Sequence, residues 1–478
     1  MSAHNDWRTQ DLPRVLWIEL TSRCPFDCVF CTRKALRGAG EHMDFELYRR
    51  LIGELDQPQI IRLNYAGESG HYPRLAEAVA LAAATGAVVE LVTALASLKT
   101  ERLLAALEAG LTRLTVSLHT LEPALFDEIY RFGALSDLRQ RLQDVLQWRE
   151  QCSRPFALDL AFVAMRRNLE ELPAVAAYAQ ALGIPVLAVH PLIGRDPLPL
   201  GKASEHGPQG QMERGFQAQL AEAVERARTL APQVEVQLSS HELEPPAVLD
   251  ECARPWPWPL PPGARVAACD QSPFETAHIL ADGRVVACEV TEKLTLGTLR
   301  EHTLSEIWRN DAYREFRQRH ASGEHPACAR CIYKRAYRPG EARPSLSGAH
   351  APPAQLLRGW HPDDGGGLRW SEASAAFWLP GRQGQRQLRL HGMLAEQQPR
   401  PDAAFEVRVN GLPIHQERCP RAGARDLLLP LPKASLGEDV LVEIHCTHAS
   451  SPMRLRRGED VRVLGFGLIS AEIQPPCL

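Results

Sequence analysis

The sequence predicts an α/β protein carrying a separate all-β domain behind it. Three observations lead there. Short β-rich runs alternate with amphipathic helical segments from residue 14 to about residue 190. The cysteines cluster at two places instead of spreading along the chain. After residue 367 a period-two alternation of apolar and polar residues takes over.

Six runs read as strands: 14–20 (RVLWIEL), 59–65 (QIIRLNY), 88–93 (VVELVT), 112–118 (TRLTVSL), 156–164 (FALDLAFVA) and 185–190 (PVLAVH). Between them lie helical segments. Phe45, Tyr48, Leu51, Ile52 and Leu55 share one helical face. Thr100 is placed to cap a helix that Gly110 closes, and Gly183 ends another that begins near Leu169. Repeated strand–helix units imply parallel strands joined by right-handed crossovers, as an α/β barrel or as an open doubly wound sheet. A helix over about 211–230 and a short strand at VEVQL extend this unit, which is expected to occupy residues 1–240.

Residues 241–338 have a different texture. The run ARPWPWPLPPGA (253–264) is too proline-rich for regular structure, because proline removes donors and restricts its neighbours. Residues 339–366 read as a linker. Residues 367–478 read as a β-sandwich, with Asn410-Gly411 suited to a type I′ hairpin turn.

At 478 residues and 45% hydrophobic content the chain can bury several cores. Its formal net charge is -4 and its basic residues are scattered, which argues against nucleic acid as a partner. The first ten residues have no apolar core of signal-peptide length, and Glu77, Gly86 and Glu90 interrupt the longest apolar region. The expectation is a cytoplasmic protein without membrane contact, whose 12 cysteines are mostly reduced.

Cys24, Cys28 and Cys31 form a CxxxCxxC within eight residues, directly after the first strand. A structural zinc site normally closes with four ligands, commonly paired as CxxC or CxxH, and this loop offers no local fourth. Three thiolates suit a four-iron cluster with one iron open to an outside ligand.

On these residues the chain resembles the radical S-adenosylmethionine (SAM) superfamily. The resemblance implies a partial (β/α)6 TIM-like barrel whose [4Fe-4S] cluster follows the first strand and chelates SAM through its free iron. There SAM is cleaved to a 5′-deoxyadenosyl radical that abstracts hydrogen from a substrate, with the electron supplied by a flavodoxin- or ferredoxin-like donor. Phe30 occupies the position that packs near the adenine. The segment YAGES (65–69) looks like the family's GGEP motif for the methionine end of SAM, with Ala66 and Ser69 as departures and Gly67 and Glu68 retained. Thr93 matches the start of a TNG stretch that has here lost its Asn and Gly, and Ser117 matches a serine that contacts the ribose. Arg166 and Asn168, after the fifth strand, are further candidates, the latter also as a helix-entry residue.

Cys269, Gly283 and Cys288 fit the C-x(9-15)-G-x4-C opening of the auxiliary-cluster domains called SPASM and twitch, and Cys328 and Cys331 follow as CxxC. A full SPASM domain would place cysteines where Tyr337 and Glu341 stand. The resemblance therefore implies one auxiliary [4Fe-4S] cluster, of the twitch kind found in 2-deoxy-scyllo-inosamine dehydrogenase-type enzymes. A zinc ribbon using the same four thiols is the alternative. Cys252 is left as a buried residue, a replacement ligand or a hydrogen-atom donor.

The expected activity is dehydrogenation of a sugar, aminocyclitol or related small molecule, with the auxiliary cluster as electron acceptor. Tyr65, His119 and His190 at strand ends are the candidate bases. Three alternatives stand beside it: redox-neutral epimerisation using Cys252, peptide modification by a SPASM maturase, and a non-catalytic iron–sulfur sensor or scaffold. The β-sandwich is expected to bind carbohydrate or to dock, or to serve as a packing domain.

Overall fold

A computed structural model describes residues 12–192, 214–238 and 265–475, apart from 57, 270, 272, 290–293, 330, 332–333, 338–342, 349–354, 362–364, 382–383, 385, 398–402, 411, 434–439, 448, 453–454, 456, 458–459 and 461. Seven parallel strands run in sequence order: β1 (Val15–Ile18), β2 (Ile60–Arg62), β3 (Val88–Thr93), β4 (Arg113–Ser117), β5 (Ala157–Ala164), β6 (Val186–Pro191) and β7 (Glu235–Leu238). The helices between them are α1 (Arg33–Arg37), α2 (Phe45–Glu54), α3 (Leu75–Ala84), α4 (Thr100–Glu108), α5 (Pro123–Tyr130), α6 (Leu135–Gln151), α7 (Leu172–Ala181) and α8 (Arg214–Leu230). This is the expected partial barrel; five of the six strand runs read from sequence contain one of its strands, and the sixth, 185–190, stops one residue short of the end of β6.

Alternation along the strands explains the layering. Leu16, Ile61, Val89, Leu91, Leu114 and Val116 are fully buried towards the helices, while their neighbours in sequence face the lumen and keep some exposure. The helices answer with apolar faces. In α2 these are Leu47, Tyr48, Leu51 and Ile52, behind an Asp44 cap that accepts the Leu47 N–H at 2.9 Å. Thr100 differs from expectation. It is the first residue inside α4, and its hydroxyl donates to Asp144 at 2.7 Å instead of capping. Gly110 (φ 117°) and Gly183 (φ 62°) adopt positive-φ conformations after α4 and α7, where a side chain would be strained.

The chain then adds β8 (Arg265–Cys269), β9 (Thr276–Ile279), β10 (Arg284–Val286) and β11 (Thr295–Thr298), helices α9 (Leu304–Arg309), α10 (Asp311–Ser322) and α11 (Pro326–Ala329), and β12 (Lys334–Tyr337). Strand β9 pairs in parallel with β1, so the second segment extends the barrel's own sheet past its first strand. Gly283 (φ 90°) makes the β9–β10 turn, and β12 pairs antiparallel with β8.

Nine strands build the C-terminal domain: β13 (Ser345–Ser347), β14 (Leu356–Trp360), β15 (Arg369–Leu379), β16 (Gln387–Leu394), β17 (Ala404–Val409), β18 (Leu412–Arg418), β19 (Gly423–Pro430), β20 (Val440–Cys446) and β21 (Phe466–Gln474). The stretch read as a linker contributes β13 and β14, which pair with β21 and β15. The sheet nearly closes into a barrel, because Arg425 on one end strand ion-pairs with Glu417 on the other at 2.9 Å. Asn410 (φ 49°) opens the two-residue β17–β18 hairpin loop expected there. Among the described residues, no helix is long and apolar enough to cross a membrane.

Candidate active site

The loop after β1 is closed at its neck and pinned along one side. Thr21 bridges His42, Ser22 N–H donates to the Glu41 carbonyl, and Asp27 and Val29 N–H groups donate to the carbonyls of Tyr130 and Ile129 at the end of α5. Arg33, buried, ties the two arms together by donating to the carbonyls of Ser22 (3.2 Å) and Gly38 (3.1 Å). The loop so held presents three thiols. Cys24 and Cys28 are partly buried, Cys31 is exposed, and the Arg33 N–H approaches the Cys31 sulfur at 3.5 Å.

Burial pushes the Cys24 thiol up to about 12, with Glu68 and Cys31 adding to the effect. Cys28 is pushed up by burial and then by Cys31 and Cys24. Cys24 and Cys28 thus feel the neighbouring thiols, and metal binding requires the ligating thiols to lose their protons. Among the described residues no three His, Cys, Asp or Glu side chains converge tightly enough for a single ion. Cys24, Cys28 and Cys31 would hold a [4Fe-4S] cluster through one thiolate each, and such a cluster would supply one iron without a protein ligand. The donor set fits a three-thiolate [4Fe-4S] cluster.

The YAGES segment backs directly onto this loop. Glu68 N–H donates to the Arg23 carbonyl at 3.0 Å. A Cβ on Gly67 would lie 2.1 Å from the Thr21 carbonyl oxygen and 2.7 Å from that of Arg23, so only glycine allows the approach. The fully buried Glu68 carboxylate accepts the N–H groups of Gly70 (3.2 Å) and Ala94 (3.0 Å). Burial raises its pKa, against the N–H of Ala94, the Thr93 hydroxyl and the N–H of Gly70. Thr93 also accepts the Leu95 N–H at 3.0 Å. Leu95 has φ 57°, so the turn after β3 keeps a left-handed residue although its glycine has become leucine.

Ser117 ends β4 on the lumen side, and its carbonyl accepts the Tyr130 hydroxyl at 2.8 Å. Phe30 packs edge-on against His119, ring centroids 5.1 Å apart. His119 is buried and stacked on Tyr130 (5.2 Å, 8°), and its Nδ1 accepts the Val163 N–H at 3.1 Å, which makes Nε2 the protonated nitrogen. Burial first, then nearby His190, push its pKa down to about 3. His190 lies across from Val163 in the β5–β6 register and is exposed at the mouth. Tyr65 lies against Arg37, whose guanidinium is 5.9 Å from the ring centroid. Arg166 is exposed with its guanidinium over Phe216. Asn168 is consumed locally: it accepts from Met165 N–H and donates to the carbonyls of His119 and Val163. Cys252 lies outside the described residues.

Two residues that the motif reading passed over help build the site. Glu19, buried at the end of β1, accepts the Ala281 N–H at 3.0 Å and faces Arg37 at 3.5 Å. It joins the cysteine loop to the second domain, and the charged residue inside WIEL was its signal in the sequence. His278 on β9 enters the lumen beside Trp17, at 5.9 Å, and Tyr65, at 6.1 Å. Lower in the lumen a chain of charges crosses four strands: Arg62–Glu90 (2.7 Å), Glu90–Arg113 (3.7 Å) and Arg113–Asp159 (2.5 Å). Burial alone would push Glu90 up; Arg62 and Arg113 outweigh it and hold the carboxyl below its usual range.

The second thiol set is assembled from distant segments. Cys269 ends β8, Cys288 follows β10, Cys328 lies on α11, and Cys331 donates its N–H to the Cys328 carbonyl. Gln271 donates to Glu289 at 3.3 Å, which brings the chain beyond Cys269 alongside that beyond Cys288. The β8–β12 register places Cys269 opposite Lys334, three residues past Cys331. Cys288 and Cys328 are buried, and none of the described cysteines forms a disulfide. Four reduced thiols in a partly buried setting fit a fully ligated iron–sulfur cluster.

A parallel partial barrel with three thiols after its first strand and a four-thiol domain grafted on that strand's free edge defines a class. Residues 18–145 match the radical SAM superfamily, and residues 269–332 match SPASM, an iron–sulfur cluster-binding domain. The chain thus carries a radical SAM domain and a SPASM-type domain, which imply SAM, a [4Fe-4S] cluster and auxiliary iron–sulfur as its cofactors. It is similar to the PqqA peptide cyclase of Rhodopseudomonas palustris, 28% identical over 176 residues, which is 36% of this chain and 45% of that protein. It is also similar to the tungsten-containing aldehyde ferredoxin oxidoreductase cofactor-modifying protein of Pyrococcus furiosus, 21% identical over 341 residues, 66% of this chain and 87% of that one. The match spans less than half the length of the first of these relatives. Among solved structures, Streptococcus suis SuiB bound to precursor peptide SuiA is similar over 67% of this chain and 71% of that one, with 13% identity and a TM-score of 0.48.

Proposed function

We propose that the protein cleaves SAM reductively and uses the resulting hydrogen abstraction to oxidise a peptide substrate seated in the barrel lumen. The observation that carries the SAM chemistry is the contact of the three-thiol loop with Gly67 and Glu68, which sets the start of that loop, at Thr21 and Arg23, directly against the segment expected to hold methionine. A [4Fe-4S] cluster with SAM bound there supplies a hydrogen-abstracting 5′-deoxyadenosyl radical. The chain's own part is positional. The pinned neck fixes the thiols, Phe30 and the stacked His119–Tyr130 pair wall one side of the pocket, and His119 offers an Nε2–H donor. The peptide class is supported by the similarity to PqqA peptide cyclases, several of which match this chain.

A second reading is dehydrogenation of a sugar or aminocyclitol. It is favoured by the four-thiol count, since Tyr337, on β12, stands where a longer SPASM domain would have another cysteine. Anaerobically reconstituted protein, reduced with dithionite and given SAM, should form 5′-deoxyadenosine, and its absence would overturn the assignment. Co-expression with short peptides encoded beside its gene then separates the substrates. A peptide that has lost two hydrogens supports the first reading. Unchanged peptides, together with deuterium passing from a C-deuterated aminocyclitol into 5′-deoxyadenosine, support the second.

A further inference from the structure

The buried ring of His320 lies against one of the auxiliary thiols, and no motif in the sequence accounts for it. It sits in the last turn of α10, a helix capped at its start by the Asn310 side chain on Tyr313 N–H (2.8 Å) and ended by Gly323 at φ 75°. The ring is only 3% exposed, walled by Phe274 (5.9 Å) and Phe316 (6.1 Å). Its Nδ1 lies 3.3 Å from Cys328 Sγ. Held from both ends of its helix and by two phenyl rings, the imidazole has little freedom to turn away.

We propose that His320 is a positioning residue for the auxiliary cluster, donating an Nδ1–H···Sγ hydrogen bond to Cys328 and thereby raising the cluster's reduction potential. This rests on the reading that Cys269, Cys288, Cys328 and Cys331 hold an iron–sulfur cluster. The direction of the bond follows from proton inventory. A free Cys328 thiol can donate to an unprotonated Nδ1, but a metal-bound thiolate can only accept, so the ring must carry its proton on Nδ1. Reduction adds negative charge to the cluster and its sulfurs, and a donor aimed at one sulfur therefore stabilises the reduced form more than the oxidised one. Histidine also serves this position better than a charged donor would, because a neutral ring can remain buried between two aromatic side chains.

The test uses the full chain with Cys24→Ala, Cys28→Ala and Cys31→Ala, so that only the auxiliary cluster remains, and an iron assay confirms about four irons. In an EPR-monitored redox titration, His320→Phe should make the cluster about tenfold harder to reduce at a fixed ambient potential, a fall of about 59 mV for one electron. His320→Asn, whose side-chain amide can place N–H near the Nδ1 position, should stay within about twofold of the parent. An unchanged midpoint in His320→Phe, or an equal fall in both variants, would overturn the proposal. Should His320→Phe fail to hold iron, the parent decides. An exchangeable proton coupled to the reduced cluster, seen by ENDOR and lost in deuterated buffer, supports the bond, and its absence removes it. A parent chain without iron would instead fail the cluster reading itself, and the proposal with it.

Discussion

The two thiol sites use the same side chain to opposite ends. Cys24, Cys28 and Cys31 lie on one short loop whose shape is fixed by its neck and by α5, and the outermost of them is exposed. Cys269, Cys288 and Cys328 come from β8, the segment after β10 and α11, Cys331 follows α11, and two of the four are buried. The first site is assembled by a local stretch of chain and leaves one side open. The second requires distant segments to pack before its donors can meet, and four such donors would complete a coordination sphere. Access is therefore set by topology: a loop of three ligands admits an outside molecule, whereas a folded set of four is suited to exchanging electrons.

The largest expected effect breaks the pair apart. Changing Cys24, Cys28 and Cys31 to alanine should lower 5′-deoxyadenosine formation at least about a thousandfold, because ligands of one centre act as a unit. Changing Cys328 and Cys331 to alanine should leave uncoupled SAM cleavage within about threefold while abolishing the oxidised product. Quantifying 5′-deoxyadenosine by chromatography in both variants checks this. Equal loss in the two would mean that the sites do not divide the work in this way.

Legibility in the sequence follows the same contrast. The barrel strands could be read because buried strands alternate with helices at short range, and VVELVT coincides with β3 residue for residue. The cysteine loop could be read because its ligands are neighbours. What escaped reading depends on long-range pairing. The parallel β1–β9 contact, which carries the second domain onto the barrel, has no local signature. Nor does the Glu19–Ala281 bond, whose members lie 262 residues apart. The His320–Cys328 contact spans only 8 residues, but it depends on how α10 turns into α11, which no residue pattern announces. Residues 339–366 looked like a linker because β13 and β14 are short and proline- and glycine-rich sequence surrounds them; β13 finds its partner only in distant β21, while β14 pairs with the next strand, β15. Asn168 shows the limit of motif transfer: its position was legible, but its amide is spent on backbone, holding Met165 and Val163 of its own segment and the His119 carbonyl beyond β4.

Two glycines sharpen the comparison at intermediate scale. Gly67 is required by a close approach, since a Cβ would fall 2.1 Å from a carbonyl oxygen that cannot move without the cysteine loop. Gly283 is required by conformation, with φ 90° and a Cβ position 3.0 Å from the flexible end of Leu47. Gly67→Ala should cost about 1–3 kcal/mol through overpacking, and because the displaced backbone belongs to the loop it should also weaken SAM binding at least about tenfold. Gly283→Ala should cost a similar 1–2 kcal/mol or so through backbone strain, with SAM affinity within about twofold of the parent. Denaturant midpoints and SAM binding to the reconstituted proteins separate the two. If both variants lose SAM affinity alike, the hairpin and the loop form one mechanical unit.

The smallest effect concerns the place where the two regions meet. His278 belongs to β9 of the second domain yet sits in the lumen, fully buried between Trp17 and Tyr65. Burial, then the Arg62 charge, push its pKa down to about 3, against the Gln271 backbone. In the unfolded chain the same ring titrates near 6.5. As the pH falls below that value the unfolded state takes up the proton first. The stability contribution of the neutral buried ring is therefore complete above about pH 6.5 and is lost progressively towards pH 3. Between pH 6 and 4 this one group should steepen the acid loss of stability by about 1.4 kcal/mol per pH unit. Denaturant unfolding of the cluster-free chain across that window should give a slope flatter by this amount in His278→Phe, with little change in stability at pH 8 beyond a constant packing term. An unchanged slope would mean that His278 already carries its proton in the folded lumen, and the junction between the two domains would then be a charged one, answering to the carboxylates of the Arg62–Glu90 chain below it.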